Sequence, residues 1–136
     1  MPLIPHEFTD RVEIVKRVTN VDKKVKHLLD LDVFFHMVSP DCNVGMGESF
    51  CLAVTEATML GIPVVVENKG GVRQQVKHGY NGFLCNNVDG FVEHLMMLYR
   101  NKDLWLTMSN NAYHLPENIF LHREWLRGMK NFTAIY

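Results

Sequence analysis

The sequence predicts an α/β domain, a Rossmann-like parallel sheet with helices on both faces. Two short runs, Asp32 to Val38 and Ile62 to Glu67, are too continuously apolar for half-exposed strands and have the length of strands buried on both faces. Segments with apolar residues at helical spacing alternate with those runs, the pattern of strands joined by crossover helices. Glycine and proline punctuate the alternation, as where Gly61 and Pro63 stand between a helix and the next strand.

In chain order, residues 11–18 (Arg-Val-Glu-Ile-Val-Lys-Arg-Val) are β-branched and partly alternating, and read as a strand. Val21, Val25, Leu28 and Leu29 recur at helical spacing between Val21 and Leu31, with Asn20 or Asp22 placed to cap that helix. Asp32 to Val38 is then a buried strand, and Ser39 to Gly47 a loop carrying Pro40, Gly45 and Gly47. From Ser49 to Leu60 the stripe Phe50, Ala53/Val54, Ala57, Leu60 keeps the helical period, with Gly61 at the C-cap and a second buried strand from Ile62 to Glu67. Gly70-Gly71 opens a short helix from Val72 to His78, closed by Gly79. Asn81-Gly82 reads as a turn and Phe83-Leu84-Cys85 as a short strand. Asp89 is placed to cap a helix lined by Phe91, Leu95 and Leu98, and Asp103 to cap another that reaches about Tyr113. Beyond Pro116, residues 119–131 read as a last helix with Phe120, Trp125 and Met129. Met96, Met97, Met108 and Met129 read as core filler, and Trp105 and Trp125 as anchors of the terminal helices.

Composition excludes several classes. With 136 residues, 47% apolar and 21% charged, the chain suits one soluble domain with a sizeable core. A net charge of −1, with basic residues scattered, leaves no footprint for nucleic acid. Cys42, Cys51 and Cys85 are odd in number and form no C-x-x-C pair, which argues against a disulfide framework and for a reducing compartment. The seven histidines show no ligand spacing, so no metal site is expected. His36, near the ligand edge of its strand, reads as a satisfied core histidine, with sugar contact as the alternative. No apolar run approaches the roughly 20 residues that span a bilayer, and the amino terminus lacks the basic and long apolar regions of a signal peptide. The expected location is cytoplasmic. The glycine-rich fingerprints of dinucleotide oxidoreductases and P-loop NTPases, and the G-x-S-x-G elbow of hydrolases, are absent from the sequence.

Open parallel sheets bind ligands beyond the carboxyl ends of their strands, which here lead into residues 39–48, 67–71 and 85–88. A helix starting near Ser49 turns its free amides, from about Phe50 to Leu52, and its positive dipole end toward that edge, a setting for phosphate. Glu48 stands just before the helix and Glu56 about two turns into it, roughly 12 Å apart at helical rise. One carboxylate on each side of a pyrophosphate suits a ligand with hydroxyls at both ends, because charge-assisted hydrogen bonds are the stronger kind. Taken alone, such a pair reads more readily as a helix-capping residue (Glu48) and a surface residue (Glu56).

The string from Gly47-Glu48-Ser49-Phe50-Cys51-Leu52 through Glu56-Ala57 to Gly61-Ile62-Pro63-Val64-Val65 resembles the donor-site signature of retaining GT-B glycosyltransferases of the group 1, family-4-like type. That signature is approximately E-G-F-G-L-x-x-x-E-A-M-A-x-G-x-P-V-V. Downstream, Gly70-Gly71-Val72-Arg73-Gln74 and His78-Gly79-Tyr80-Asn81-Gly82-Phe83-Leu84 are similar to the family's G-G-x-x-E and x-G-x-x-G-x-L. Upstream, Leu28 to Phe34 with Ser39-Pro40 is similar to L-Y-x-x-A-D-V-F-V-x-P-S. The resemblance runs over about residues 20–88 in the family's order and spacing. It implies that residues 1–136 are the carboxyl-terminal, donor-binding domain of a GT-B fold, without the amino-terminal acceptor domain and without the first strand–helix unit. It further implies an enzyme that moves a hexose from a nucleotide sugar (a UDP- or GDP-sugar) to an acceptor with retention, and without a metal cofactor. In that scheme Glu48 is the catalytic-site carboxylate on the donor sugar and Glu56 binds the ribose. Gly47, Ser49, Phe50, Cys51 and Leu52 complete the donor site, the amides of the last three holding the distal phosphate.

Several positions depart from the family's pattern. Ser49 and Cys51 replace two glycines, Gln74 stands at a usual glutamate, and Asp41 to Met46 lengthen the loop before Glu48. The basic residues that usually neutralise the diphosphate follow the missing first strand; Lys16 and Arg17 are the candidate substitutes, with Lys69 a third. The alternative function is an incomplete or non-catalytic sugar-nucleotide-binding module that needs a separate amino-terminal half. Expected partners are the nucleotide-sugar donor and either an acceptor-binding domain on another chain or a second copy of this one, the apolar face of residues 119–136 favouring association. A full-length context would allow peripheral attachment to a membrane.

Overall fold

The computed structural model describes residues 13, 15, 17–37 and 51–114. They belong to two compact units, Met1–Asp30 and Leu31–Tyr136, each described by itself.

In the first unit, helix α1 (Val21–Leu29) has the expected register and ends at Leu29 instead of Leu31. Asn20 is its cap: the residue is extended and its Oδ1 accepts from Lys23 N at 3.0 Å. Asp22 lies in the first turn, where a carboxylate complements the helix dipole. Residues 11–18 were expected to form a strand. The four that are described, Glu13, Val15, Arg17 and Val18, are not in one. A β-branched pattern expresses fitness for a paired, half-buried surface, and makes no strand without a neighbour to pair with.

The second unit holds β1 (Phe34–His36), α2 (Leu52–Met59), β2 (Val64–Glu67), α3 (Val72–Gln75), β3 (Gly82–Cys85), α4 (Val88–Arg100) and α5 (Lys102–His114). The strands make one parallel sheet in the order β1-β2-β3, with Phe34 opposite Val64 and Val64 opposite Gly82. Val65, Phe83 and Cys85 on one face are buried with Phe91 and Leu98 of α4 and Met108 of α5. Strand alternation turns Val64 and Val66 to the opposite face, where they are also fully buried and where α2 packs on β2. Strand β2 is therefore covered on both faces, as its continuous apolar run requires. Strand β1, expected to be buried as well, is not: it lies at one end of the described sheet, with Phe34 and His36 half-buried and Phe35 57% exposed, because a terminal strand of the sheet has a neighbour on one side only.

Local chemistry sets the element ends. Helix α2 closes in a Schellman motif: Ile62 N donates to Ala57 O and Gly61 N to Thr58 O, both at 3.0 Å, with Gly61 at φ +73°. Ser109 Oγ of α5 donates to Gly61 O at 2.6 Å and ties this corner to the next layer. Asp89 and Asp103 do not cap their helices. Asn87 Oδ1 accepts from Gly90 N at 2.8 Å and Asn101 Oδ1 from Leu104 N at 3.0 Å, so the caps lie two residues upstream of the aspartates. The aspartates sit instead in the first turns, where the dipole alone favours them. Met108 is core, whereas Met96 and Met97 are exposed, because α4 turns that face to solvent. Trp105 anchors α5 by donating from Nε1 to Asp32 O at 2.7 Å. The helix expected over residues 119–131, with Trp125 and Met129, lies outside the described residues.

The Asn81-Gly82 pair is not a free turn: Gly82 already belongs to β3. Asn81 is fully buried, with Oδ1 accepting from Lys77 N at 2.7 Å and Nδ2 donating to Gln75 O at 3.1 Å. One side chain thus satisfies the backbone that carries α3 into β3. Asn81→Ala strands both groups and is expected to lower unfolding free energy by about 2–4 kcal/mol, measured by urea denaturation. An unchanged midpoint would contradict that role.

Candidate functional site

All three strands run the same way, so their carboxyl ends, His36, Glu67 and Cys85, define one edge of the sheet. The connection after β2 is tied down at that edge. Asn68 N donates to Cys85 O at 2.8 Å, and Asn68 Nδ2 to Asn86 Oδ1 at 3.0 Å. Arg73 grips Asn68 O with both Nη2 at 2.8 Å and Nε at 3.3 Å. Lys69, a candidate phosphate cation, pairs with Glu67 at 2.5 Å, so its charge is already shared.

Helix α2 begins at Leu52, three residues later than its apolar stripe suggests, because Cys51 is extended (φ −89°, ψ 99°) and serves as N-cap. Its thiol makes no capping bond. The first helical bond runs from Thr55 N to Cys51 O at 3.3 Å, so the amides that precede it within the helix are those of Leu52, Ala53 and Val54. The expected trio of Phe50, Cys51 and Leu52 therefore shifts toward the helix interior. Glu56 follows Leu52 by one turn and shares its face, and side chains on a helix lean toward its amino end. Its carboxylate is half-buried, with Oε2 buried outright. Gly47, Glu48, Ser49, Phe50 and Lys16 lie outside the described residues. Arg17 is exposed in the amino-terminal unit.

One residue at this edge escaped the sequence reading. Gln74, set against the family's glutamate, is exposed, while its neighbour Gln75 is buried against the start of α2, its amide 2.8 Å from Thr55 Oγ1. A signal existed: Val72, Gln75 and Val76 fall at i, i+3 and i+4, one helix face, and both valines are buried.

Beside the edge, Phe83 stacks on His94 with centroids 4.2 Å apart, and His78 meets both rings edge-on. His94 Nδ1 lies 2.6 Å from Gly90 O and 3.5 Å from Cys85 Sγ, and His78 Nδ1 accepts from Leu84 N at 3.0 Å. These histidines are built into the packing. Burial pushes the Cys85 thiol up, which keeps it protonated and a poor nucleophile. Among the described residues no three His, Cys, Asp or Glu side chains are arranged to hold a metal ion, and no helix is long and apolar enough to cross a membrane.

A parallel sheet with an acidic residue near the start of a helix at its carboxyl edge, whose N-cap side chain makes no capping bond, suits a nucleotide, and comparison with known proteins gives the family. The family model described as glycosyl transferases group 1 matches residues 5–115. The chain belongs to that family. An uncharacterized glycosyltransferase of Haemophilus influenzae is 34% identical over 102 residues, which cover 71% of this chain and 29% of that protein. Solved structures share the fold. Sucrose-phosphate synthase from Thermosynechococcus elongatus superposes with a TM-score of 0.72 at 18% identity, over 91% of this chain and 30% of that one. The Anabaena protein HepE, solved with UDP and with UDP-glucose, superposes at 0.63 and 0.59, at 20% identity over 79% of this chain and 29% of that one. This group 1 domain thus spans less than a third of the length of each of these relatives.

Proposed function

We propose that this domain binds a nucleoside-diphosphate sugar and contributes the donor half of a site that transfers a hexose to an acceptor with retention. The observation that carries the reading is Glu56, half-buried one turn beyond Leu52, the first residue of α2, at the carboxyl edge of the sheet. The amides and the dipole of α2 would hold the distal phosphate, and stabilise it as charge develops on the leaving diphosphate. Glu56 would accept from the ribose hydroxyls, and Glu48 from the hydroxyls of the sugar, with Gly47, Ser49 and Phe50 shaping the approach. No metal is assigned to the step, in which the helix amides supply electrostatic stabilisation. The UDP and UDP-glucose complexes of HepE support a uridine nucleotide as the first ligand to test.

Calorimetric titration with UDP, GDP and their glucose and mannose conjugates tests the reading. Saturable binding of one nucleotide series is expected, with a matching rise in melting temperature by mass action. Should no nucleotide shift the melting temperature at millimolar concentration, the reading fails.

A second reading is donor binding without transfer by this chain alone, with the acceptor site supplied by another domain or chain. It is favoured by the small share of the relatives' length that the chain spans. Release of UDP from UDP-glucose separates the two. Binding without release supports the module, and release by this chain supports the enzyme.

A further inference from the structure

We infer that Gln75 is a positioning residue for the donor site: its buried amide brackets the backbone of the N-cap residue of α2 and so fixes where that helix, and its first-turn amides, begin. The inference rests on α2 being the donor-binding helix.

Helix amino ends are usually capped by the side chain of Ser, Thr, Asp or Asn. Cys51 occupies that position here, and a thiol is a weak acceptor. The backbone of Cys51 is held instead by a side chain twenty-four positions downstream. The side chain of Gln75, 6% exposed, comes from α3 and faces the start of α2. Its amide orientation is assigned from the hydrogen-bond network. With the oxygen toward Cys51 N at 3.2 Å, the nitrogen donates to Cys51 O at 3.0 Å and to Thr55 Oγ1 at 2.8 Å. A single planar group thus holds both backbone polar atoms of the N-cap residue. Thr55 is itself buried, and Thr58 Oγ1 donates to Thr55 O at 2.9 Å, so the bracket continues into the helix. Behind Gln75, Asn81 Nδ2 donates to Gln75 O at 3.1 Å, which anchors the bracket to the start of β3.

Two consequences follow for a ligand. The Cys51 amide is spent inside the protein, so the donors left at the amino end of α2 are those of Leu52, Ala53 and Val54. The extended geometry of Cys51, which starts the helix at Leu52, is held by a contact from a separate element. Glu56, one turn on, is carried with it. Gln75 touches no ligand in this scheme and acts through α2.

The test uses the full chain, with UDP and UDP-glucose as probes and amide exchange followed by NMR. In the ligand-free protein the Cys51 amide is expected to exchange slowly and those of Leu52 and Ala53 quickly. UDP is expected to protect Leu52 to Val54 and to leave Cys51 as it was. Gln75→Met, apolar and of similar volume, is expected to speed Cys51 exchange at least tenfold and to weaken both nucleotides about tenfold, the scale of one lost hydrogen bond. Val72→Ala, on the same face of α3 but outside the bracket, serves as the destabilising control and is expected to lower the melting temperature with affinity held within about twofold. A folded Gln75→Met protein that keeps a protected Cys51 amide and wild-type affinity overturns the inference. So does a wild-type Cys51 amide that is unprotected without ligand, a result obtained even if Gln75→Met does not fold. If the wild-type chain binds no nucleotide, the donor reading fails, and with it the positioning role, whereas slow Cys51 exchange would still register the bracket itself.

Discussion

Glu56→Gln is expected to weaken UDP binding by about 10- to 100-fold with little change in melting temperature. The substitution keeps the shape of a half-buried side chain and removes the charge, and a hydrogen bond to a charged group contributes about 1.5–3 kcal/mol. Free UDP and UDP-glucose should lose affinity alike, because the ribose is common to both. Glu48→Gln is expected to weaken UDP-glucose and leave free UDP close to the wild-type value, since its assigned hydroxyls belong to the sugar. Calorimetry on the two variants with the two ligands gives four numbers that separate the roles. Equal losses for both ligands in both variants would contradict the assignment, because a merely structural pair of glutamates makes no distinction between UDP and its sugar.

Gly82→Ala is expected to have the largest effect on stability of any alanine substitution at a described glycine. A Cβ at Gly82 would meet Val64 O at 2.4 Å and Val64 Cγ2 at 2.6 Å. The first of these is backbone of the neighbouring strand, which is buried on both faces and cannot give way. Relief requires the β2–β3 pairing to open at its first step. Overpacking of this kind costs about 3 kcal/mol, a fall in melting temperature of roughly 10 °C for a domain of this size. Gly79 provides the contrast: its φ is +77° but no atom lies within 4 Å of an added Cβ. Gly79→Ala should cost only the left-handed backbone penalty, about 1 kcal/mol. Thermal melts of the two variants decide the matter, and a Gly82→Ala protein as stable as Gly79→Ala would mean that the strands separate at this point without cost.

The contrast shows where sequence reasoning reached and where it stopped. By sequence Gly82 is half of an Asn-Gly turn, because that dipeptide is a strong local turn signal. Its actual constraint is the approach of β2, a strand nearly twenty residues away in the chain. Asn81 was likewise given a turn role, and its full burial and two backbone bonds follow from the same packing. The caps show the limit on a shorter scale. Asp89 and Asp103 and the asparagines two positions earlier are all acceptable capping residues, and only the backbone conformation at Asn87, and the bond that Asn101 makes to Leu104 N, select between them.

What the sequence determined by itself was the alternation of helix and strand, the parallel character of the sheet with β2 buried on both faces, and the family. These rest on periodicity and on motif order, which are local properties written directly in residue spacing. The placement of Glu56 on a helix at the ligand edge was legible for the same reason. The tertiary structure alone decided that α2 starts at Leu52, that Met96 and Met97 face solvent, and that Gln75, not Gln74, meets the start of α2. Each of these depends on which surface a neighbouring element covers. That is a contact between residues distant in sequence, and no pattern within a single segment encodes it.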